Sequence, residues 1–172
     1  MKSLLMFAAV CMLGLSVYGQ KQEDKSKRPS PPAKASGTTA SGTAITIDYS
    51  QPSVKGRVIG KTVEPMPGKV WRTGANEATV FEVSKDVKVE GKSLPAGKYG
   101  LYSIANGDDW TIIFNKTWNQ WGTEYSKDAD ALRVNVKATK AAKFAEKFTI
   151  TVSKAGKVDL LWGDSDVSFK VE

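Results

Sequence analysis

The chain has 172 residues, enough for one domain, and 25 Lys plus Arg against 18 Asp plus Glu give it a formal charge of +7. It has no histidine, and its single cysteine is Cys11, which excludes Ser-His-Asp and Cys-His nucleophiles, imidazole acid–base catalysis and His-ligated zinc. A mature chain without Cys11 would also lack disulfides and thiolate metal sites, so neither a metal nor a cofactor is expected.

Residues 1–19 read as a signal peptide. Lys2 supplies a positive start, and Leu4 to Val17 is an apolar stretch of 14 residues, short for a membrane span. Val17 and Gly19 form a small-residue cleavage pattern, with the cut before Gln20 and a polar run behind it. Cys11 interrupts the apolar run instead of closing it, which argues against lipidation. The expectation is an exported protein of the periplasm or cell surface, with no transmembrane segment after cleavage.

Residues 20–43 have no apolar side chain beyond alanine and proline, and are expected to be a disordered basic tail. Five basic and two acidic residues fall here, while the remaining domain holds 19 basic and 16 acidic groups. The lysines of that domain are scattered and alternate with apolar residues, as on solvated strand faces. Clustered basic groups interleaved with aromatics, as nucleic-acid binding requires, are missing, so no nucleic-acid partner is expected.

From Ala44 onward the apolar period is two, the mark of half-buried strands. It runs through Ile45, Ile47 and Tyr49, then Thr79, Phe81 and Val83, then Val87 and Val89. A strand from Lys98 to Ile104 follows Pro95 and Gly97, and Asn106-Gly107 signals a type I′ hairpin. Trp110, Ile112 and Phe114 form the next face, followed by Leu132, Val134 and Val136. Thr139 to Glu146, rich in alanine, is the one short helical candidate. Phe148, Ile150 and Val152 precede Val158, Leu160 and Trp162, with Val167, Phe169 and Val171 at the end. Lys154–Lys157 and Gly163–Asp166 read as hairpin loops. The fold class is therefore all-β over residues 44–172: an antiparallel β-sandwich, a jelly roll being one form of it, with at most one short helix.

Two segments break the alternation. In Lys69–Thr79, Trp71, Arg72, Asn76 and Glu77 surround Gly74. Arg72 suits a bidentate carboxylate or phosphate contact, and Asn76 and Glu77 suit hydroxyls. The structural alternative pairs Arg72 with Glu77 and makes Trp71 a plug for the end of the sandwich. In Asn115–Tyr125, Asn115, Trp118, Gln120, Trp121 and Tyr125 combine flat aromatic faces with amides, as stacking on a sugar ring requires. The same tryptophans could equally cap the core beneath a long loop. No catalytic residue and no metal site stands out from the pattern.

The runs Tyr49–Arg57, Gly68–Thr79, Leu94–Tyr99 and Trp110–Lys116, with Gln120-Trp121-Gly122, resemble an uncharacterised bacterial family of exported single-domain proteins, catalogued as a domain of unknown function. The resemblance implies a secreted β-rich domain with Lys-Val-Trp-Arg-Thr-Gly-Ala-Asn-Glu-Ala-Thr as its hallmark, and transfers no activity. A binding or accessory module with an aromatic–polar site for a glycan or other envelope ligand is the leading functional expectation. A glycan hydrolase using carboxylates is the alternative, and would place a second acid roughly 5 to 9.5 Å from Glu77. A structural envelope protein without a small ligand is the third.

Overall fold

The computed structural model describes residues 23–172, so the segment expected to be a signal peptide, residues 1–19, and residues 20–22 lie outside the described residues. Among the described residues ten antiparallel strands run in chain order: β1 Pro32–Thr38, β2 Ala44–Ser50, β3 Val70–Trp71, β4 Thr79–Val83, β5 Val87–Val89, β6 Lys92–Leu94, β7 Gly97–Asn106, β8 Asp109–Asn115, β9 Asp130–Val152 and β10 Lys157–Lys170. The main sheet has the order β1-β2-β4-β7-β8-β9-β10, with β3 paired to β7, and β5-β6 form a separate ribbon. The all-β expectation holds, and the packed faces come from one sheet curled into a half-barrel. Among the described residues no helix is long and apolar enough to cross a membrane.

The curl depends on β9. Its first part, Asp130–Lys137, pairs with β8, and its second, Ala138–Val152, pairs with β10. Along β10, the register shifts on both sides of Gly163, whose φ of 59° marks a bulge. The loop expected at Gly163–Asp166 is therefore a bend within one strand. The alternating faces enclose Phe81, Phe114, Phe148, Trp162 and Phe169, all fully buried, with edge-on ring contacts such as Phe114–Phe169 at 5.7 Å.

Three local expectations need correction. The short helix over Thr139–Glu146 is strand, because two turns of helix cannot outweigh nucleation while β10 offers a ladder. The hairpin at Asn106-Gly107 is present, but Asn106 pairs with Asp109, so Gly107 and Asp108 are its central residues. Only Gly107 of these two has positive φ, at 62°, the pattern of a type II′ turn.

The third correction concerns the tail. Its residues 32–38, expected to be disordered, form β1, in register with the whole of β2. Backbone pairing supplies what the side chains lack, and Ala35 is buried in the core. Gly37 permits close contact with β9, since a Cβ there would lie 2.9 Å from Val152 Cγ1. The stretch before β1 is also fixed, as Gln51 N donates to Pro31 O at 2.9 Å.

Candidate functional site

The two irregular segments meet. Glu77 and Trp121 form an antiparallel bridge, flanked by Ala78 N to Gln120 O and Gly122 N to Asn76 O, both at 3.1 Å. The approach is close enough that a side chain at Gly122 would collide with Arg72 Cδ and lie 2.9 Å from the Asn76 carbonyl. Glycine at 122 is what lets the second segment lie down on the first.

The first segment is stapled to itself and to β7. Thr73, Gly74 and Asn76 have φ of 47°, 154° and 59°, which folds residues 72–77 into a tight loop. Inside it, the Trp71 indole N–H donates to Gly74 O at 3.0 Å, and the ring, 2% exposed, packs edge-on against Phe148 at 4.9 Å. Thr73 is buried and donates to Ser103 Oγ at 2.9 Å, and Thr79 donates to Thr73 O at 2.8 Å. Trp71 is a core residue.

Arg72 and Glu77 do not pair with each other. Arg72 is half-buried, donates from Nη1 to Asn76 O at 2.7 Å, and lies 5.9 Å from the centre of the Trp121 ring. Glu77 faces away and is gripped by the N-terminal segment: Arg28 Nη1 reaches both carboxylate oxygens at 2.9 Å, and Lys25 Nζ reaches one at 2.8 Å. Asn76 Nδ2 reinforces that contact by donating to Ser30 O at 3.0 Å.

Partial burial alone would raise the Glu77 pKa. The hydrogen bonds from Lys25, its own backbone N–H and Arg28 outweigh that and hold it near 2. Glu77 is thus ionised and neutralised at physiological pH, which is unsuitable for a general acid. Asp48 and Glu77 line one shallow recess with Lys25, Pro32 and Tyr49, but Asp48 is tied to Lys34 at 2.9 Å. A depressed folded pKa gives stability that is present above the unfolded value of 4.5 and lost as pH falls toward 2. With the side chain 36% exposed, solvent screening leaves on the order of 1–2 kcal/mol. Acid melts of the wild type and of Glu77→Gln should therefore converge between about pH 4.5 and 2, as the wild type alone loses this contribution.

The second segment divides into structural and exposed parts. Asn115 is fully buried: its amide donates to Ser126 O and Asp130 Oδ1, both at 2.8 Å, and its oxygen accepts from Thr117 N at 2.9 Å. Tyr125 donates to Asp130 Oδ2 at 2.7 Å and accepts from Arg133 Nη2 at 2.6 Å. Burial, the bond to Asp130 and the charge of Asp130 push the phenol up to about 12, so it stays protonated. Gln120 donates to the buried Tyr102 hydroxyl at 2.9 Å. Trp118 is half-buried beneath the Lys98 ammonium, 5.1 Å from its ring centre, and Trp121 is 45% exposed.

Beside Arg72 is a recess of about 240 Å³ lined by Glu64, Val70, Trp71, Arg72, Gly122, Thr123 and Tyr125. The structure thus gathers Trp71, Arg72 and Tyr125 at one place, with Trp121 adjoining through Arg72. Asn76 and Gln120 support that place, Glu77 lines a separate recess with Asp48, Asn115 ends β8, and Trp118 lies beneath Lys98 on the loop. Glu64, Val70 and Thr123 line the recess without a signal in the sequence pattern. Glu64 belongs to the turn-rich stretch before β3, brought in by the bond from Trp162 Nε1 to Glu64 O at 2.8 Å.

No curated protein and no solved structure is matched by the chain. The family described as Protein of unknown function (DUF2911) matches residues 30–171, from just before β1 to the end of the last pairing, and the chain belongs to that family.

Proposed function

We propose that the protein is an exported, non-catalytic binding or accessory module of the cell envelope, recognising a glycan or other envelope ligand on the ledge made by residues 70–72 and 120–125. The observation that carries this reading is the Glu77–Trp121 bridge: it fixes an exposed tryptophan over a half-buried arginine at the edge of a recess. A flat apolar face beside oriented polar groups is the arrangement that sugar rings and other flat ligands favour. The ionised, doubly paired state of Glu77 counts against it as the general acid of the hydrolase alternative.

Tryptophan fluorescence, titrated with envelope glycans, peptides and divalent cations, tests the reading. Trp121→Ala should weaken binding about tenfold or more, while stability stays within about 0.5 kcal/mol because the ring is surface-exposed. Trp118→Ala should have the smaller effect on binding. No response to any ligand of the panel would favour a purely structural envelope protein. Mass spectrometry of the chain purified from the cells that produce it should find Gln20 at its N-terminus, and retention of Met1 on a chain confined to the cytoplasm would remove export from the reading.

A further inference from the structure

The four arginines of the chain are used differently. Arg28 pairs with Glu23 and Glu77, and Arg133 pairs with Asp130. Arg57 gives Nε and Nη2 to the carbonyls of Val54 and Ser53. Arg72 makes a single hydrogen bond, to Asn76 O, and has no ion-pair partner among the described residues. It is nonetheless half-buried, under Trp121 and against Gly122. A partly desolvated guanidinium with most of its N–H groups uncommitted is a fork suited to a carboxylate.

The recess into which Arg72 faces sets the size and the remaining chemistry. At about 240 Å³ it falls below the roughly 300–1,000 Å³ of pockets for drug-sized ligands, so it suits one small unit. Glu64 lines the same space, and its Oε2 accepts only the local Met66 N–H, at 2.6 Å. A carboxylate there accepts from hydroxyl or ammonium groups. Tyr125 adds little specificity, because its hydroxyl is engaged by Asp130 and Arg133.

Resting on the ledge reading above, we infer that the site takes a small carboxylate ligand that carries its own hydrogen-bond donors, either a single hexuronic acid unit or a free amino acid. The ligand carboxylate engages the Arg72 fork, its apolar face lies along Trp121, and its hydroxyls or ammonium group face Glu64. Both ligands share this chemistry and differ in the charge they present to Glu64.

Isothermal titration of the full chain with glucuronate, glucose and alanine tests the assignment. Glucuronate or alanine should bind, weaken as salt is raised, and lose about tenfold or more in Arg72→Gln. Glu64→Gln retains an oxygen for Met66 N–H and separates the two ligands: it should tighten glucuronate severalfold by removing a like charge, or weaken alanine about tenfold by removing the ammonium's partner. If Arg72→Gln fails to fold, the Glu64→Gln shift and the salt dependence carry the test, and absence of both overturns the assignment. Glucose binding as tightly as glucuronate, unchanged in Arg72→Gln but lost in Trp121→Ala, would overturn the carboxylate inference and leave the aromatic ledge standing. Binding of none of the three, with no response to the wider glycan panel, would overturn both.

Discussion

Trp71→Ala should destabilise the protein by about 3–5 kcal/mol, one of the largest effects of any single side-chain truncation in the chain. The ring is almost wholly buried, meets Trp110 and Phe148, and holds the 72–77 loop through Gly74 O. Its removal leaves a cavity and an unpaired carbonyl in one step. For a domain of this size the melting temperature should fall by roughly 10–20 °C, measured by calorimetry or circular dichroism. Trp71→Phe should cost less, since it retains aromatic packing and loses only the indole bond. A Trp71→Ala variant of wild-type stability that had lost ligand binding would move Trp71 from the core to the site.

Asn115→Ala is expected to cost about 2–4 kcal/mol, because a fully buried side chain gives up three hydrogen bonds together, to Ser126 O, Asp130 Oδ1 and Thr117 N. These bonds fold the chain after β8 into the loop that carries Trp118 and Trp121, so ligand affinity should fall along with stability. Asn115→Asp is isosteric and more damaging at neutral pH, since it sets a carboxylate against Asp130. Protonation removes that repulsion, so the deficit of Asn115→Asp should shrink as pH falls toward about 4, while that of Asn115→Ala persists. Denaturant melts at two pH values distinguish these outcomes. Equal deficits at both would show that the Asn115–Asp130 contact does not govern the loop.

The strands were legible because alternation at positions such as Ile45, Ile47 and Tyr49 depends only on which face is wet. β1 was hidden because its pairing with β2 is almost entirely a backbone matter, and Pro, Ala, Ser and Gly carry no apolar signal. The Thr139–Glu146 stretch read as helix because alanine propensity is local, whereas its ladder with β10 is not. In the site, residue chemistry was readable and partnership was not. Arg72 and Glu77 were natural partners in sequence, yet Glu77 is taken by Arg28 from nearly fifty positions away. That choice frees Arg72 for the recess. Likewise Trp71 and Trp121 look alike in the sequence, yet Trp71 is core through the pairing of β3 with β7 and its contact with Phe148, while the bridge at Glu77 leaves Trp121 at the surface.

The division of β9 between two partners has a consequence for the order in which the molecule can be built. Because the same strand borders β8 and β10, and the turn that follows it meets the chain between β1 and β2 through Ala40 N to Lys154 O, the first and last strands pack together only when both are present. β1 and β10 end the sheet order, and the packing of β1 against β9 waits until residues 130–152 have emerged and turned back toward it. Contacts so distant in sequence make folding slow and all-or-none, so the protein should have no stable half that forms during synthesis. The chain reaches its final shape only after its last strand is in place.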